Sequence, residues 1–359
     1  MICKKIRYKD FRNIENAEIE FCDGVNIFFG NNAEGKTNAL EGIYMFANGK
    51  SFRSSNDRDL ISFSKDMSFV KMYFEDSVRD HEMEMKLVRG SRKLCYRNGV
   101  NVKKLSDFVG YFRAVLFCPE HLSVIKDGPA ERRSFLDSAI CQLKPIYLSS
   151  LQKYNNILNQ RNTLIKNYEE DKESFNRTIE LWSAYLAREA ALIAKERYEY
   201  VKILDGHVKS FFSDMTNGSE VSLLEYNKAM TEEEYLQKLT QNLEKEIQAG
   251  TTLYGIHKDD IDIYLNGKEA RSFCSQGQQR CIALAMKLGE GEISKQVTGE
   301  YPVFLFDDIF SELDSKRKEY VTKGIKKCQV IITSCESSGL EGFAGNVIEV
   351  NKGNYNKIK

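Results

Sequence analysis

Apolar positions along the chain change their rhythm twice. In the first part, IRYKDFRNIENAEIEF and GVNIFFG carry short extended patterns, and KTNALEGIYMFANG then sets Leu40, Ile43, Tyr44 and Ala47 at helical spacing. MSFVKMYFED, HEMEMKLVRG and RKLCYRNGV alternate in part, which predicts a meander with turns near Asp80, Gly90 and Asn98-Gly99. FRAVLF, Phe112 to Phe117, predicts another apolar strand that stops at Pro119.

From ERRSFLDSAICQL onward the spacing turns to three and four, with Leu148, Leu151, Tyr154, Leu158 and Ile165 among the apolar positions. WSAYLAREAALIAKERYEYVKILDGHVKSFF continues it, so an antiparallel helix pair with solvated charged faces is the simplest form. Thr231 to Gln248 predicts a further polar helix. Strand character returns in TTLYGIHKDDIDIYLNGKEA, followed by a polar loop, RSFCSQGQQR. A helix then places Cys281, Leu284, Ala285 and Leu288 on one side. YPVFLFDDIFSELD is a nearly unbroken apolar strand ending in acid, and helix SKRKEYVTKGIKK and strand QVIITS follow. Unbroken apolar strands alternating with helices predict a parallel sheet covered on both faces, hence an α/β fold. No internal repeat is present. The expected division joins residues 1–110 and 246–359 in one head, with 111–245 as an inserted helical lobe.

Composition narrows the class without naming a chemistry. The 359 residues are 42% hydrophobic and 29% charged with four prolines, as in a globular chain able to bury a large core. No apolar run reaches membrane-spanning length, and the start lacks the apolar core of a signal peptide, so a cytoplasmic location is expected. Nine cysteines without a CxxC pair, and four histidines, give no zinc pattern. With 52 basic and 52 acidic side chains, any nucleic-acid surface must gather its charge on one face.

The chemistry lies in Gly30-Asn31-Asn32-Ala33-Glu34-Gly35-Lys36-Thr37, which satisfies GxxxxGK[ST] between an apolar strand and a helix. Such a loop turns backbone amides onto phosphate oxygens, with Lys36 reaching the β- and γ-phosphates and Thr37 a Mg²⁺ ion. In VFLFDD, Asp307 ends the strand as the Mg²⁺-linked carboxylate, and Asp308 follows where water is oriented or activated. ATP and Mg²⁺ are the expected ligands. Because Mg²⁺ requires Thr37 and Asp307 to be close, the two ends of the chain must build one head.

Two further segments carry a resemblance. Ser275-Gln276-Gly277-Gln278-Gln279-Arg280 resembles the signature motif of ABC-type ATPases, and Ser311-Glu312-Leu313-Asp314 resembles their D-loop. GNNAEGKTN, KSFR at Lys50 to Arg53, GPAERRSFLD, QRN, GIHKDD, SQGQQR and DDIFSELD together resemble the RecF family of bacterial recombination mediators, in the SMC/ABC-type group. The resemblance implies an ABC-type P-loop ATPase head with an antiparallel β portion and an inserted helical lobe. It further implies an ATP-dependent homodimer in which Ser275, Gln276, Gly277 and Gln278 face the nucleotide of the other protomer, with Ser311 and Asp314 aligning that interface. The implied role is ATP-dependent binding of duplex DNA at gaps or junctions, with RecR and RecO, to help RecA load. Slow hydrolysis would reset binding, with Lys36 and Asp308 as the catalytic residues.

Lys50, Arg53, Arg132 and Arg133 are the candidate DNA contacts, while Arg53 can equally touch nucleotide. Arg280 can hold the signature loop, and His257-Lys258 can support the head. Two departures stand out from the ABC pattern. Asp308 replaces the usual glutamate, and Ser334 stands after Thr333 where a switch histidine is usual, leaving the switch role open. The glutamine-loop equivalent falls roughly at Phe117 to Glu120. Rival readings are a chromosome-organising or nuclease-linked ATPase and an ATP-using protein scaffold. The absence of a long coiled coil and of a histidine-carboxylate nuclease pattern counts against the first.

Overall fold

Four nearly continuous apolar strands find their partners in a single sheet. The computed structural model describes residues 1–226, 229–309, 313, 315–324, 327–335 and 345–358. Its mixed sheet runs Asn354–Lys357, Gly345–Asn351, Val25–Phe29, Val330–Ser334, Val303–Asp307 and Ala114–Phe117 in spatial order. All neighbours are parallel except the edge hairpin formed by the first two. Val25–Phe29 is thus flanked on both sides by strands from the other end of the chain. Neither end can complete this sheet alone. Register aligns Phe28 with Thr333 and Thr333 with Asp307, so the loops after three strands emerge at one carboxyl edge. That edge is where open α/β sheets bind ligands.

A second, antiparallel sheet orders Ile14–Glu20, Ile2–Phe11, Met67–Glu75, Asp80–Val88, Leu94–Arg97 and Val100–Val102. Its alternation buries one face, including Tyr8, Val70, Met72, Met83 and Met85, over the helix Lys36–Asn48. Tyr8 Oη donates to Ala39 O of that helix at 2.6 Å. The predicted turn at Asn98-Gly99 forms with φ of 48° and 78°, the left-handed pair that a tight hairpin requires. The outer face is covered by cross-strand ion pairs such as Lys5–Glu18 and Lys71–Glu82.

In the helical region Pro145–Lys166 packs on Pro129–Leu143 and the long Lys172–Thr216 helix, and those two pack against the helix Gln276–Thr298. The expected lobe of 111–245 shifts at both ends. Ala114–Phe117 pairs with Val303–Asp307 and therefore belongs to the head sheet. Ser222–Tyr226 pairs with Ile261–Leu265 in a three-stranded sheet with Lys268–Glu269, so strands cross the expected boundary. Tyr226 and Leu224 are buried, and these β contacts depend on partners some forty residues away in sequence, beyond the reach of a local pattern. The polar helix after Thr231 divides at Asn242 into Glu232–Gln241 and Leu243–Ala249. Among the described residues, no helix is long and apolar enough to cross a membrane.

Buried arginines fasten the lobe together. Arg161, fully buried, donates to Glu246, Thr252 and Ser183, which come from three separate segments. Arg197 likewise gathers Asp137, Tyr147, the Ile256 carbonyl and Asp259. Removing one partner of such a pair leaves an uncompensated buried charge. Glu246→Ala is therefore expected to lower the unfolding free energy by about 3–5 kcal/mol, read as a lower urea midpoint. The paired change Arg161→Met with Glu246→Leu should recover much of that loss; equal destabilisation by both would exclude the charge explanation.

Candidate nucleotide-binding site

The GxxxxGK[ST] segment folds as a tight loop at the carboxyl edge. A Cβ at Gly30 would lie 2.3 Å from Val350 O, and one at Gly35, whose φ is 117°, would lie 3.0 Å from Asn13 Oδ1. Both positions therefore require glycine. The turn after Gly345–Asn351 braces the loop, with Gly353 N donating to Glu34 O and Tyr355 Oη to Gly35 O, each at 2.9 Å. Asn31, Asn32 and Ala33 remain exposed along its outer curve. Lys36, 6% exposed, turns its ammonium back to donate to Gly30 O at 2.7 Å and Asn31 O at 2.8 Å. Its charge thus sits within the curve of the loop, where phosphate oxygens would be drawn.

The acidic half meets it directly. Thr37 Oγ1 donates to Asp307 Oδ1 at 2.9 Å, across 270 residues of sequence. Thr333 Oγ1 donates to the same oxygen at 2.8 Å and accepts from Asp308 N at 2.9 Å. Asp308 has φ of 53°, a left-handed conformation that sets its side chain apart from the strand's alternation. Burial raises the pKa of Asp307 above the usual aspartate value; the Thr333 and Thr37 bonds oppose that, and the charges of Glu120 and Asp308 add to it. A hydroxyl and a buried, charge-strained carboxylate side by side form a hard-oxygen pair that suits Mg²⁺. Glu120 follows the strand beside Asp307, with Phe117 in register with Phe306. Within the open Phe117 to Glu120 region, it is the residue whose charge adds to the raised pKa of Asp307. Ser311 and Asp314 lie outside the described residues.

The other expected motif is built differently. Ser275 caps the helix Gln276–Thr298: its Oγ accepts from Gln278 N at 3.3 Å, while Gln278 Oε1 accepts from Ser275 N at 2.8 Å. Part of the predicted polar loop is therefore helix. Gln278 Nε2 also donates to Glu220 at 2.5 Å, and a Cβ added at Gly277 would meet only the Arg317 guanidinium, 3.8 Å away, and Ser275 Oγ, in ordinary contact. Ser275 and Gln276 are exposed at the helix N-terminus. Their hydrogen bonds, and those of Gln278, include none to the Gly30–Thr37 loop of the same chain among the described residues.

Several residues here had no motif to announce them. Arg12, at φ 54° in the turn between the first two strands, donates through Nε and Nη2 to the fully buried Glu41 at 2.8 and 2.7 Å. Ser51 Oγ donates to Glu41 as well, at 2.5 Å, and accepts the amides of Arg53 and Ser54. Arg53 Nη1 donates to Asn38, whose amide donates to Asn13, joining KSFR to the loop helix. Arg12, Asn13, Asn38 and Arg53 line a cavity of about 720 Å³ beside the phosphate loop. The charged turn DFRN between apolar strands was the available sequence signal. Lys50 is exposed. The expected DNA contact at Arg132 is corrected: 6% exposed, it makes a bidentate pair with Asp260 at 2.6 and 2.8 Å and donates to Val124 O and Asp127 O. Such a guanidinium serves the fold. Arg133 Nη1 donates to Asp259 O at 2.7 Å.

Residues 2–358 match the family model described as RecF/RecN/SMC N terminal domain. The DNA replication and repair protein RecF of Lachnoclostridium phytofermentans is 37% identical over 98% of this chain and 97% of its own length. The chain belongs to the RecF family. RecF of Lachnospira eligens is also 37% identical, over 98% of this chain and 96% of its own. The recombination mediator protein RecF solved with ATP superimposes with a TM-score of 0.92 at 32% identity, covering 100% of this chain and 98% of that one. The Smc head of Pyrococcus furiosus, at 16% identity and a TM-score of 0.58, shares the fold. The RecF-family head is thus an ABC/SMC-type α/β ATPase fold.

The raised pKa of Asp307 yields a signed prediction. A carboxyl held above its unfolded value contributes stability in acid that is lost as pH rises through the folded pKa. Asp307→Asn should therefore gain thermal stability relative to wild type as nucleotide-free samples are taken from acid to neutral pH. A gap in Tm that stays constant or narrows would contradict the burial argument.

Proposed function

We propose that this chain is a RecF-type, ATP-dependent DNA-binding recombination mediator that closes as a homodimer around ATP. The observation that carries the reading is the 2.9 Å bond from Thr37 to Asp307, which completes a nucleotide site whose signature segment points elsewhere. Lys36, Gly30 to Gly35 and the start of the following helix bind the phosphates; Asn13, Asn38, Arg12 and Arg53 flank the cavity for the rest of the nucleotide. Thr37 and Asp307 would hold Mg²⁺, which when bound neutralises charge on the β- and γ-phosphates. Asp308 orients the attacking water, and its shorter stem than glutamate favours slow turnover. The exposed N-terminus of the Ser275 helix offers donors to the nucleotide of a second protomer, with Gln276, Gly277 and Gln278 beside it and Ser311 and Asp314 aligning the interface.

Closure would bring basic groups of two protomers, Lys50 and Arg133 among them, to one duplex. The neutral net charge makes such pooling necessary. RecR, with RecO and RecA in the same pathway, would receive the DNA-bound dimer, in the cytoplasm. Relatives solved in a RecFOR pathway context support this assignment.

Size-resolved binding to plain and gapped duplex, with and without ATP, tests the reading. ATP should raise the DNA-bound fraction of wild type, and higher salt should lower it steeply. Asp308→Ala should keep ATP and DNA binding while turnover falls by about 10²-fold or more. Binding that ignores ATP would overturn the switch, and normal turnover in Asp308→Ala would remove that residue from catalysis.

A further inference from the structure

The end of the strand Val330–Ser334 touches both halves of the site through consecutive residues. Thr333, 1% exposed, spans Asp307 Oδ1 and the Asp308 amide through one hydroxyl, at 2.8 and 2.9 Å. Ser334 O accepts from Gly30 N at 3.3 Å, at the first residue of the phosphate loop. Cys335 Sγ lies 3.3 Å from Lys36 Nζ and donates to Asn32 Oδ1 at 2.8 Å. Residues two apart on extended chain share a side, which suits Thr333 and Cys335 to acting on one site.

The two contacts have different chemistry. Thr37 and Thr333 donate to the same Asp307 oxygen. When the Thr37 oxygen turns to a cation, Thr333 is the hydroxyl left to fix that carboxylate. It also holds the Asp308 amide at a backbone conformation that aspartate adopts only with support. The Cys335 thiol is a weak partner for an ammonium, in a place where a phosphate oxygen would be a strong one. Phosphate drawn to Lys36 should displace it readily.

We propose that Thr333 and Cys335 together form the switch of this site, a role the sequence leaves open. Cys335 stands beside Lys36 until nucleotide arrives, and Thr333 is the positioning residue for Asp307 and Asp308. The proposal rests on the ATP-site reading above and adds to it which side chains sense occupancy and align the acids.

Three measurements on the full chain test it. Equilibrium dialysis first establishes whether wild type binds ATP; if it does not, the ATP-site reading itself falls. Maleimide labelling, mapped by peptide mass, is then compared with and without ATP, using the partly exposed Cys22 and Cys328, away from the signature segment, as internal references. ATP should slow labelling of Cys335 about tenfold and leave the references unchanged, as expected when a charged ligand displaces and covers a thiol. Equal labelling in a chain that binds ATP overturns the role of Cys335. Finally, Thr333→Val keeps the branched shape but loses the hydroxyl, while Thr333→Ser retains it. Val should bind ATP normally yet lose about tenfold or more in kcat with little change in KM, and Ser should restore most of it. A Val variant with wild-type kcat, or a Ser variant as slow as Val, overturns the role of Thr333.

Discussion

The hydrogen bond from Thr37 to Asp307 is the point on which this molecule turns. Its two residues are 270 positions apart, and the sheet makes them neighbours by placing Val25–Phe29 next to Val330–Ser334, itself beside Val303–Asp307. Such interleaving explains why the intervening chain can carry a whole helical region without disturbing the site. The inserted segment leaves the sheet after Ala114–Phe117 and the chain returns to it at Val303, adjacent strands in the same register. An insertion that leaves and returns at neighbouring strands imposes little strain on the edge where ligand binds.

Charge is handled differently in the two cores. In the helical region, Arg161, Arg197 and Arg132 are enclosed and paired, so they fix the helices and the three-stranded sheet to one another. At the nucleotide loop the charges are held in readiness. Lys36 rests on backbone carbonyls that phosphate can outcompete, and Asp307 is a buried carboxylate that a cation would relieve. Arg12 stands between these cases: Glu41 anchors two of its donors while its side faces the cavity beside the loop. A net charge of zero therefore conceals a strongly polarised interior.

What could be read from the residues alone follows the range of each interaction. Gly30 to Thr37 is legible because all its chemistry is contiguous, and Asp307 because an apolar strand ending in paired acids is a local pattern. The α/β class and the family followed from the same segments, and the RecF relatives extend the likeness over nearly the whole chain. The Arg12–Glu41–Ser51 network was not legible, since each pair spans ten to thirty residues and none is a recognised spacing. Arg132 looked like a free basic group because its partner, Asp260, is 128 residues away. The switch role stayed open between Thr333 and Ser334 for a related reason. Counting along QVIITS does not choose between them, whereas the fold brings the side chains of Thr333 and Cys335 to Asp307 and Lys36.

In the proposed dimer, one copy supplies the phosphate loop and another supplies the signature helix. Mixing two inactive variants tests it most directly. Lys36→Ala lacks the loop lysine, and Ser275→Arg blocks the signature helix, so neither should hydrolyse ATP alone. In a mixed dimer, one site unites an intact loop from the Ser275→Arg copy with an intact signature from the Lys36→Ala copy. Hydrolysis that reappears on mixing is the predicted result. A mixture as silent as its two components, when both are folded and the Ser275→Arg copy binds ATP, would rule out a site shared between two copies.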